Sequence, residues 1–222
     1  MKIKLLTLVC LYLALTGCSK SNQKPATQPT NAVNINGTSY PTAKIGTQTW
    51  TSINYNGPGG VSYENFSNNP NYGKLYLLSE ARAIALPVGW RLPTSVDAVT
   101  LLSYLGAAIT TDSGIVGDSS VTKKIKSKDQ GFWITKGNNS SGFNAISGGE
   151  FISSYNDFTG LGMDAMFWLN SDGSGNPGSL EIIDVHDGGA LITNTVGVYI
   201  FTSSYFSDVN KDMYSIRFVK DN

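Results

Sequence analysis

The stretch Gly89-Trp90-Arg91-Leu92-Pro93-Thr94 joins two short helical patterns, and the rest of the fold is predicted outward from it. The segment Ser79 to Leu86 before it favours a short helix. Ser79 is suited to the N-cap, Glu80 to the first turn, and Pro87 to the stop.

Thr94 opens the second helical pattern. Asp97 follows three residues later and completes a variant of the capping box, and Gly106 is placed to end the helix. Two neighbouring apolar stripes predict a largely buried helix: Val96, Val99 and Leu102 in one, and Ala98, Leu101 and Leu105 in the other.

Strand patterns lie on both sides of these helices. Asn36-Gly37 predicts a two-residue hairpin turn, because both positions favour positive φ. From Thr110 onward, short apolar runs separated by Gly, Asn and Ser predict strands. The fold class predicted is therefore α+β, with two short helices early and a mainly antiparallel, loop-rich sheet late. The later strands are predicted at Gly131–Ile134, Phe143–Ile146, Phe151–Ile152, Met166–Leu169, Leu180–Val185, Leu191–Val196, Val198–Phe201 and Tyr214–Val219.

The charge balance argues against nucleic acid as a partner. The chain has 16 basic and 16 acidic side chains, and residues 1–17 include two of the lysines. The remainder therefore carries 14 basic and 16 acidic side chains, a net charge of −2, which gives no basic footprint. The lysines at 123, 124, 126 and 128 are expected on a solvated loop or strand face.

The amino terminus predicts a lipoprotein leader over residues 1–17. A basic start precedes the apolar run Leu5 to Leu15, which is too short to span a bilayer, since a spanning helix needs about 20 residues. Leu15-Thr16-Gly17-Cys18 resembles a bacterial lipobox, so Cys18 is the expected site of lipidation. Two or more acyl chains on that cysteine would give stable membrane anchoring.

The residues after the leader predict a flexible tether and then one domain. Residues 18–32 are polar and contain little that could be buried, whereas 33–222 form the predicted folded part. Ser19 replaces the Asp that retains lipoproteins in the inner membrane of enteric bacteria, so the outer membrane is expected. The periplasmic and the cell-surface face both stay open.

Several blocks of the predicted domain resemble the Fibrobacter succinogenes major paralogous domain. They run in the family's order from about residue 44 to residue 221. The resemblance rests on Ile45-Gly46-Thr47-Gln48-Thr49-Trp50, Tyr72-Gly73-Lys74-Leu75-Tyr76, the Gly89–Thr94 stretch, Gly142-Phe143-Asn144-Ala145-Ile146-Ser147-Gly148-Gly149, Phe167-Trp168 and Tyr214-Ser215-Ile216-Arg217-Phe218-Val219.

This resemblance implies a C-type-lectin-like fold related to formylglycine-generating enzymes. It also implies a secreted or lipid-anchored protein of the Bacteroidetes and Fibrobacter groups. Leu86 and Phe218 stand where the family often has cysteines, which implies an apolar contact in place of a disulfide. The residues expected to act structurally, as parts of the family signature, are Trp50, Trp90, Arg91, Pro93, Phe143, Trp168 and Arg217.

The sequence contains few residues suited to catalysis. Cys10 lies in the leader and Cys18 is the lipidation site, so the predicted domain has no thiol for a nucleophile or a zinc site. His186 is the only histidine, and no G-x-S-x-G motif accompanies it. No cofactor is expected, and the protein is predicted not to be an enzyme.

Aromatic and acidic residues in the later loops suggest ligand contacts instead. The candidates for ligand binding are Trp133, Tyr155, Asp157, Asp172, Tyr205 and Phe206, with Trp133 expected to be the most exposed tryptophan. Calcium is a possible ligand, because it takes oxygen atoms from such loops. Its candidate residues are Asp157, Asp164 and Asp172.

Three functions follow in order of preference. The first is a non-catalytic envelope protein that binds a glycan or a protein partner, such as a polysaccharide or a surface protein. The second is an assembly subunit of a surface adhesion complex or pilus. The third is a hydrolase using Glu150 or Glu181, which no spacing supports because two acids in unrelated strands form no signature.

Overall fold

A computed structural model describes residues 31–63, 70–108, 115–129, 132–171, 175–184, 197–201 and 206–222. These residues form an α+β domain with a few short helices and two curled, mostly antiparallel sheets. The leader, Cys18 and most of the predicted tether lie outside the described residues.

The first sheet is fully antiparallel and begins with the hairpin predicted at Asn36-Gly37. These two residues have φ values of 51° and 83°, which confirms the turn. The C-terminal strand completes the sheet. Its strands are β1 (Ala32–Ile35), β2 (Thr38–Ile45), β3 (Gln48–Thr51) and β10 (Val219–Asp221), in the order β1-β2-β3-β10.

The second sheet contains six strands, and all but one of its neighbouring pairs are antiparallel. Its strands are β4 (Ile115–Gly117), β5 (Gly148–Ile152), β6 (Asp157–Leu161), β7 (Asp164–Leu169), β8 (Gly178–Ile183) and β9 (Gly197–Phe201), in the order β4-β9-β8-β7-β5-β6. The parallel pair is β5 with β7.

Two helices lie where they were predicted, with different ends for the first. Helix α1 spans Leu78–Ala83 and is capped by Leu77, so the prediction of Ser79 as N-cap and of a helix up to Leu86 was wrong. Glu80 explains the shift, because its Oε2 accepts a hydrogen bond from Leu77 N at 2.9 Å.

Helix α2 spans Ser95–Tyr104 and confirms the capping box. Thr94 N donates to Asp97 Oδ2 at 2.7 Å, and Asp97 N donates to Thr94 Oγ1 at 3.4 Å. Val96 is 64% exposed, so the stripe containing it was only partly right. None of the helices in the described ranges is long and apolar enough to cross a membrane.

A third helix, α3 (Ser119–Ile125), corrects the expectation that helices occur only early in the chain. Asp118 caps it by accepting hydrogen bonds from Ser120 N and Val121 N. The lysine run therefore lies on and after a helix. Lys126 is buried and pairs with Asp184 at 2.9 Å, which corrects its expected place on a solvated face.

Three of the predicted strands are mostly loop in the structure: in Tyr214–Val219 only Val219 belongs to a strand, whereas Tyr214 and Ser215 form isolated bridges with Tyr76 and Phe167. In the described part of Gly131–Ile134 there is no strand, and Phe143–Ile146 contributes only an isolated bridge between Ala145 and Lys126. The predicted strand Leu191–Val196 lies outside the described residues.

Strand β7 separates the two hydrophobic clusters of the core. All six of its residues are buried. Phe167 and its alternate neighbours pack with helices α2 and α3, whereas Trp168 and Met166 pack with Tyr76 and Tyr214 on the other face. Phe218 is a buried member of this second cluster, and the partly buried Leu86 packs against the cluster.

Arg217 fixes the C-terminal segment between the sheets. Its guanidinium lies 4.9 Å from the Phe143 ring centre and 5.5 Å from that of Phe167. It donates hydrogen bonds of 2.8 Å to Asn54 Oδ1 and to three backbone carbonyls. Burial lowers the pKa of Arg217 to about 9, so the side chain stays charged at neutral pH.

Candidate functional site

A cavity of about 250 Å³ opens between the β5–β6 turn and the loop that precedes the C-terminal segment. We call it the Tyr155 cavity. The lining residues come from two separate parts of the chain: Glu150, Ile152, Ser154 and Tyr155 from the hairpin, and Ser207, Asp212 and Tyr214 from the loop.

Asp212 holds these two parts together. The carboxylate is buried and accepts hydrogen bonds from Ser153 N at 2.9 Å and from Ser153 Oγ at 2.7 Å. From the loop it accepts hydrogen bonds from Ser207 N and Asp208 N, both at 3.1 Å. Since an ionised carboxylate is acceptor-only, Asp212 suits this clamp better than any neutral side chain.

Tyr155 lies at the rim of the cavity. Its side chain belongs to the tight turn between β5 and β6, where Asn156 adopts a φ of 51°. The residue is 76% exposed, which leaves the ring accessible to solvent. An exposed aromatic ring fixed on a tight turn can contact a ligand at little cost in conformational entropy.

An aromatic layer supports the floor beneath Tyr155. Tyr214 is buried, and its ring centre lies 4.3 Å from that of Trp168. Phe206 packs against both rings, at 5.3 Å from Trp168 and 6.0 Å from Tyr214. This layer is continuous with the second hydrophobic cluster, so the cavity rests on a rigid base.

Glu150 contributes a carboxyl group to the cavity floor. Burial, together with the charges of Asp164 and Asp212, raises its pKa to about 8. Burial likewise raises the pKa of Glu181 to about 8, with contributions from Asp164 and Glu150. At pH 7 both glutamates are therefore mostly protonated and can donate hydrogen bonds.

Sheet register explains why these carboxyls meet. Glu181 on β8 pairs with Met166 on β7, and the parallel pairing of Gly149 with Ala165 places Glu150 beside Met166 as well. Paired residues share one face of a sheet, so Glu150 and Glu181 flank the central strand on the same face as Asp164.

This region also contains buried polar atoms without hydrogen bonds. Among the described residues, Glu181 Oε2, Ser147 Oγ and Ser179 Oγ are buried and have no hydrogen-bond partner. Such atoms are uncommon in folded proteins because each costs desolvation free energy. Ser179 lies on the same face of β8 as Glu181, so part of this cost is concentrated behind the cavity.

The structure brings together only some of the predicted ligand-binding residues. Tyr155 lines the cavity, and Phe206 lies beneath it rather than being exposed. Asp157 is exposed at the start of β6 in the same hairpin. Asp172 and Tyr205 lie outside the described residues, as does His186.

Trp133 was predicted to be the most exposed tryptophan, and this was wrong. It is 6% exposed, and its Nε1 donates to Ala145 O at 2.8 Å. Lys126 lies 4.9 Å from its ring centre. Trp133 belongs to the first hydrophobic cluster, a long-range packing that the composition of its neighbouring loops does not reveal.

The structure describes two of the three aspartates predicted as calcium ligands, Asp157 and Asp164, whereas Asp172 lies outside the described residues. Asp157 is exposed and accepts a hydrogen bond from Phe158 N, whereas Asp164 is buried beside Gly160. Within the described ranges no group of three or more acidic, histidine or cysteine side chains is arranged to hold a metal ion.

The family-signature residues mostly lie in the core. Trp50, Phe143, Trp168 and Arg217 are fully buried, and Pro93 O accepts a hydrogen bond from Asn170 N at 2.7 Å. The exceptions are Trp90, which is half-buried, and Arg91, which binds Asp97 and Asp221 at the surface.

Sequence reasoning missed the residues that build the cavity floor and its clamp. Glu150 was weighed only as a hydrolytic acid, and Ser207 and Asp212 were not considered. The one signal available was an Asp within a Ser-rich and Asn-containing loop, which is also typical of ordinary turns.

Comparison with known families identifies one match. The family model described as the Fibrobacter succinogenes major domain matches residues 31–220, most of the chain. Comparisons with curated proteins and with solved structures gave no match.

Proposed function

Because the chain belongs to the Fibrobacter succinogenes major domain family, we propose that it is a lipid-anchored envelope protein with a non-catalytic, lectin-like domain that binds a glycan. The observation that carries the proposal is the Tyr155 cavity, where an exposed aromatic ring stands beside protonated Glu150. The lectin-like class is part of the proposal and is supported by the α+β arrangement with antiparallel sheets.

The chemistry of the cavity suits a neutral sugar ring. An aromatic ring packs against the apolar C–H face of a sugar, and hydroxyl and carboxyl groups bind the sugar hydroxyls. At about 250 Å³, the cavity is smaller than the roughly 300–1,000 Å³ of pockets that enclose drug-sized ligands. One sugar ring at the end or along the side of a chain fits this size.

The environment of the carboxyls favours binding over hydrolysis. Glycoside hydrolysis needs one protonated acid and one ionised carboxylate, both facing the substrate. Glu150 and Glu181 share a pKa of about 8, and Glu181 is 4% exposed. Asp212 reaches the cavity but is occupied by backbone and serine donors.

The anchor at Cys18 is tested separately from the ligand. Cells expressing the full chain are labelled with radioactive palmitate, and label is expected on the chain but not on a Cys18→Ser variant. Fractionation is expected to place the labelled protein in the outer membrane. Failure to label the unaltered chain would contradict the lipid anchor but leave the binding proposal in place.

A glycan array probed with the purified chain tests the binding function. Each glycan that binds is then titrated against Tyr155→Ala and against the control variant Tyr104→Ala, which removes a 66% exposed tyrosine on helix α2. Loss of binding in the Tyr155 variant alone is expected. Co-purification with partner subunits and no glycan response would instead favour the assembly subunit.

A further inference from the structure

A second surface, on the outer face of the first sheet, has the opposite charge to the Tyr155 cavity. In the paired registers, Lys44 of β2 and Lys220 of β10 both lie opposite Thr49 of β3. Adjacent strands are about 4.8 Å apart, so the Cα atoms of the two lysines are about 10 Å apart in one transverse row.

Trp90 extends this row by one strand. The antiparallel bridge between Arg91 and Val219 places Trp90 next to Lys220. The Lys220 Nζ lies 5.6 Å from the centre of the indole ring, so both side chains are on the same face. Across strands β2, β3 and β10 and the bridged segment at Trp90, the row therefore reads ammonium, hydroxyl, ammonium and indole.

These side chains line a groove of about 490 Å³, which we call the Trp90 groove. None of its lining residues is acidic: they are Asn31, Ala32, Val33, Thr42, Lys44, Thr49, Trp90, Lys220 and Asn222. Within the described part of the chain, neither Lys44 nor Lys220 forms an ion pair. Two positive charges thus face an open groove without compensation.

The nearest carboxylates are held away from the groove. Strand alternation turns Asp221 to the face opposite Lys220, where it pairs with Arg91 at 2.9 Å. Arg91 also binds Asp97 at the start of helix α2. Both carboxylates thus bind Arg91 on the face opposite Lys220, so the groove itself is lined by the two ammonium groups and by no acidic side chain.

We infer that the Trp90 groove binds a segment of an acidic polysaccharide, with a sugar ring on Trp90 and carboxylate or sulfate groups at Lys44 and Lys220. The indole supplies the apolar surface that a sugar face needs, and each ammonium supplies a charge-assisted hydrogen bond. Thr49 Oγ1 donates to Asn222 Oδ1 but can still accept a hydrogen bond from a sugar hydroxyl, and the Asn222 amide can donate one. A nucleic acid is a poorer fit, since two cations on a domain of negative net charge give no extended footprint.

The test measures binding of an oligogalacturonate, a short acidic sugar chain, to the full chain in detergent at low salt. The double variant Lys44→Gln/Lys220→Gln is compared with the control double variant Lys123→Gln/Lys136→Gln, which removes the same charge from exposed sites elsewhere. We expect about a tenfold or greater loss of affinity in the first and less than a twofold change in the second.

Added salt and a neutral oligosaccharide of the same length sharpen the result. Binding of the oligogalacturonate is expected to weaken as salt rises, and the neutral chain is expected not to compete at this groove. Tyr155→Ala should leave acidic-sugar binding unchanged, so failure at one site is distinguishable from failure at the other.

Three outcomes would overturn the inference. The first is that oligogalacturonate does not bind, and the second is that both double variants lose affinity equally, which would indicate a general charge effect. Binding to anionic lipid vesicles without binding to the oligogalacturonate would assign the groove to a membrane surface instead.

Discussion

Three of the buried ionisable side chains have very different surroundings: Arg217 on the one hand, and Glu150 and Glu181 on the other. Arg217 makes hydrogen bonds with the Asn54 side chain and three backbone carbonyls, and it stacks between two phenylalanine rings. Glu181 has an oxygen with no hydrogen-bond partner in the described structure, and both glutamates have a pKa of about 8.

The difference distinguishes a structural centre from a candidate functional one. A buried ion whose hydrogen bonds are satisfied holds its neighbours in one arrangement. Carboxyls with raised pKa values and incomplete hydrogen bonding reduce stability, and groups of this kind concentrate at binding and catalytic sites. The Tyr155 cavity opens on the second type of centre.

Replacing Arg217 should produce the largest loss of stability. Arg217→Met keeps an apolar stem but leaves Asn54 and three carbonyls without a donor, so the free energy of unfolding should fall by about 3–5 kcal/mol. Urea denaturation measures the change. Arg82→Met is the control, because Arg82 is exposed and bonds Asn170 at the surface. The Arg82→Met variant is expected to lose less than about 1 kcal/mol of unfolding free energy. Equal losses in both variants would contradict the structural role given to Arg217.

The glutamates should respond to pH in the opposite sense to ordinary acids. Their pKa in the folded state is about 8, above the usual 4.5, so the folded protein binds these protons more tightly than the unfolded chain does. Stability contributed by these groups is therefore complete below pH 4.5 and is lost as the pH rises towards 8.

Glu150→Gln and Glu181→Gln should remove this loss. At pH 9 each variant is expected to be more stable than the unaltered chain, by on the order of 3 kcal/mol, because glutamine cannot ionise. Asp157→Asn, at an exposed position of the same hairpin, is the control and should follow the unaltered chain. Chemical denaturation at pH 5, 7 and 9 measures the effect, and parallel pH profiles for all variants would contradict the assigned environments.

The features of the fold that could be predicted from the sequence are those that neighbouring residues determine. The Asn36-Gly37 turn and the capping box of Thr94 and Asp97 were predicted because neighbouring residues determine them. The meeting of Glu150 and Glu181 could not be predicted, since it depends on β7 lying between β5 and β8. Strand order is set by long-range pairing, which leaves no local pattern.

Helix α3 and Trp133 show two further limits of local patterns. Helix α3 is short and contains the β-branched residues Val121, Thr122 and Ile125, which lower its helix propensity and favour a strand. Its cap at Asp118 was the available signal. Trp133 lies in a short apolar run between polar segments, but it is buried, with Lys126 near its ring and its Nε1 donating to Ala145 O.

Replacing Asp212 should change the free energy of unfolding less than replacing Arg217 and more than replacing Tyr155. Asp212→Asn keeps one acceptor oxygen but places an amide N–H₂ against Ser207 N and Asp208 N, which are donors themselves. A loss of about 1–2 kcal/mol in the free energy of unfolding is expected. Faster hydrogen exchange should be confined to the β5–β6 turn and residues 206–212, and exchange that increases across the whole domain would contradict a local clamp.

Tyr155 should have the smallest effect on stability and a large effect on binding. Its ring is 76% exposed, so Tyr155→Ala removes few packed contacts, and the free energy of unfolding should change by no more than about 0.5 kcal/mol. The same change removes the aromatic surface of the cavity, so glycan affinity should fall about tenfold or more. Tyr155→Phe, which keeps the ring, should retain most of the affinity. A Tyr155→Ala variant that is as stable as the unaltered chain and binds glycan equally well would show that the cavity lined by Tyr155 and Glu150 is not the binding site.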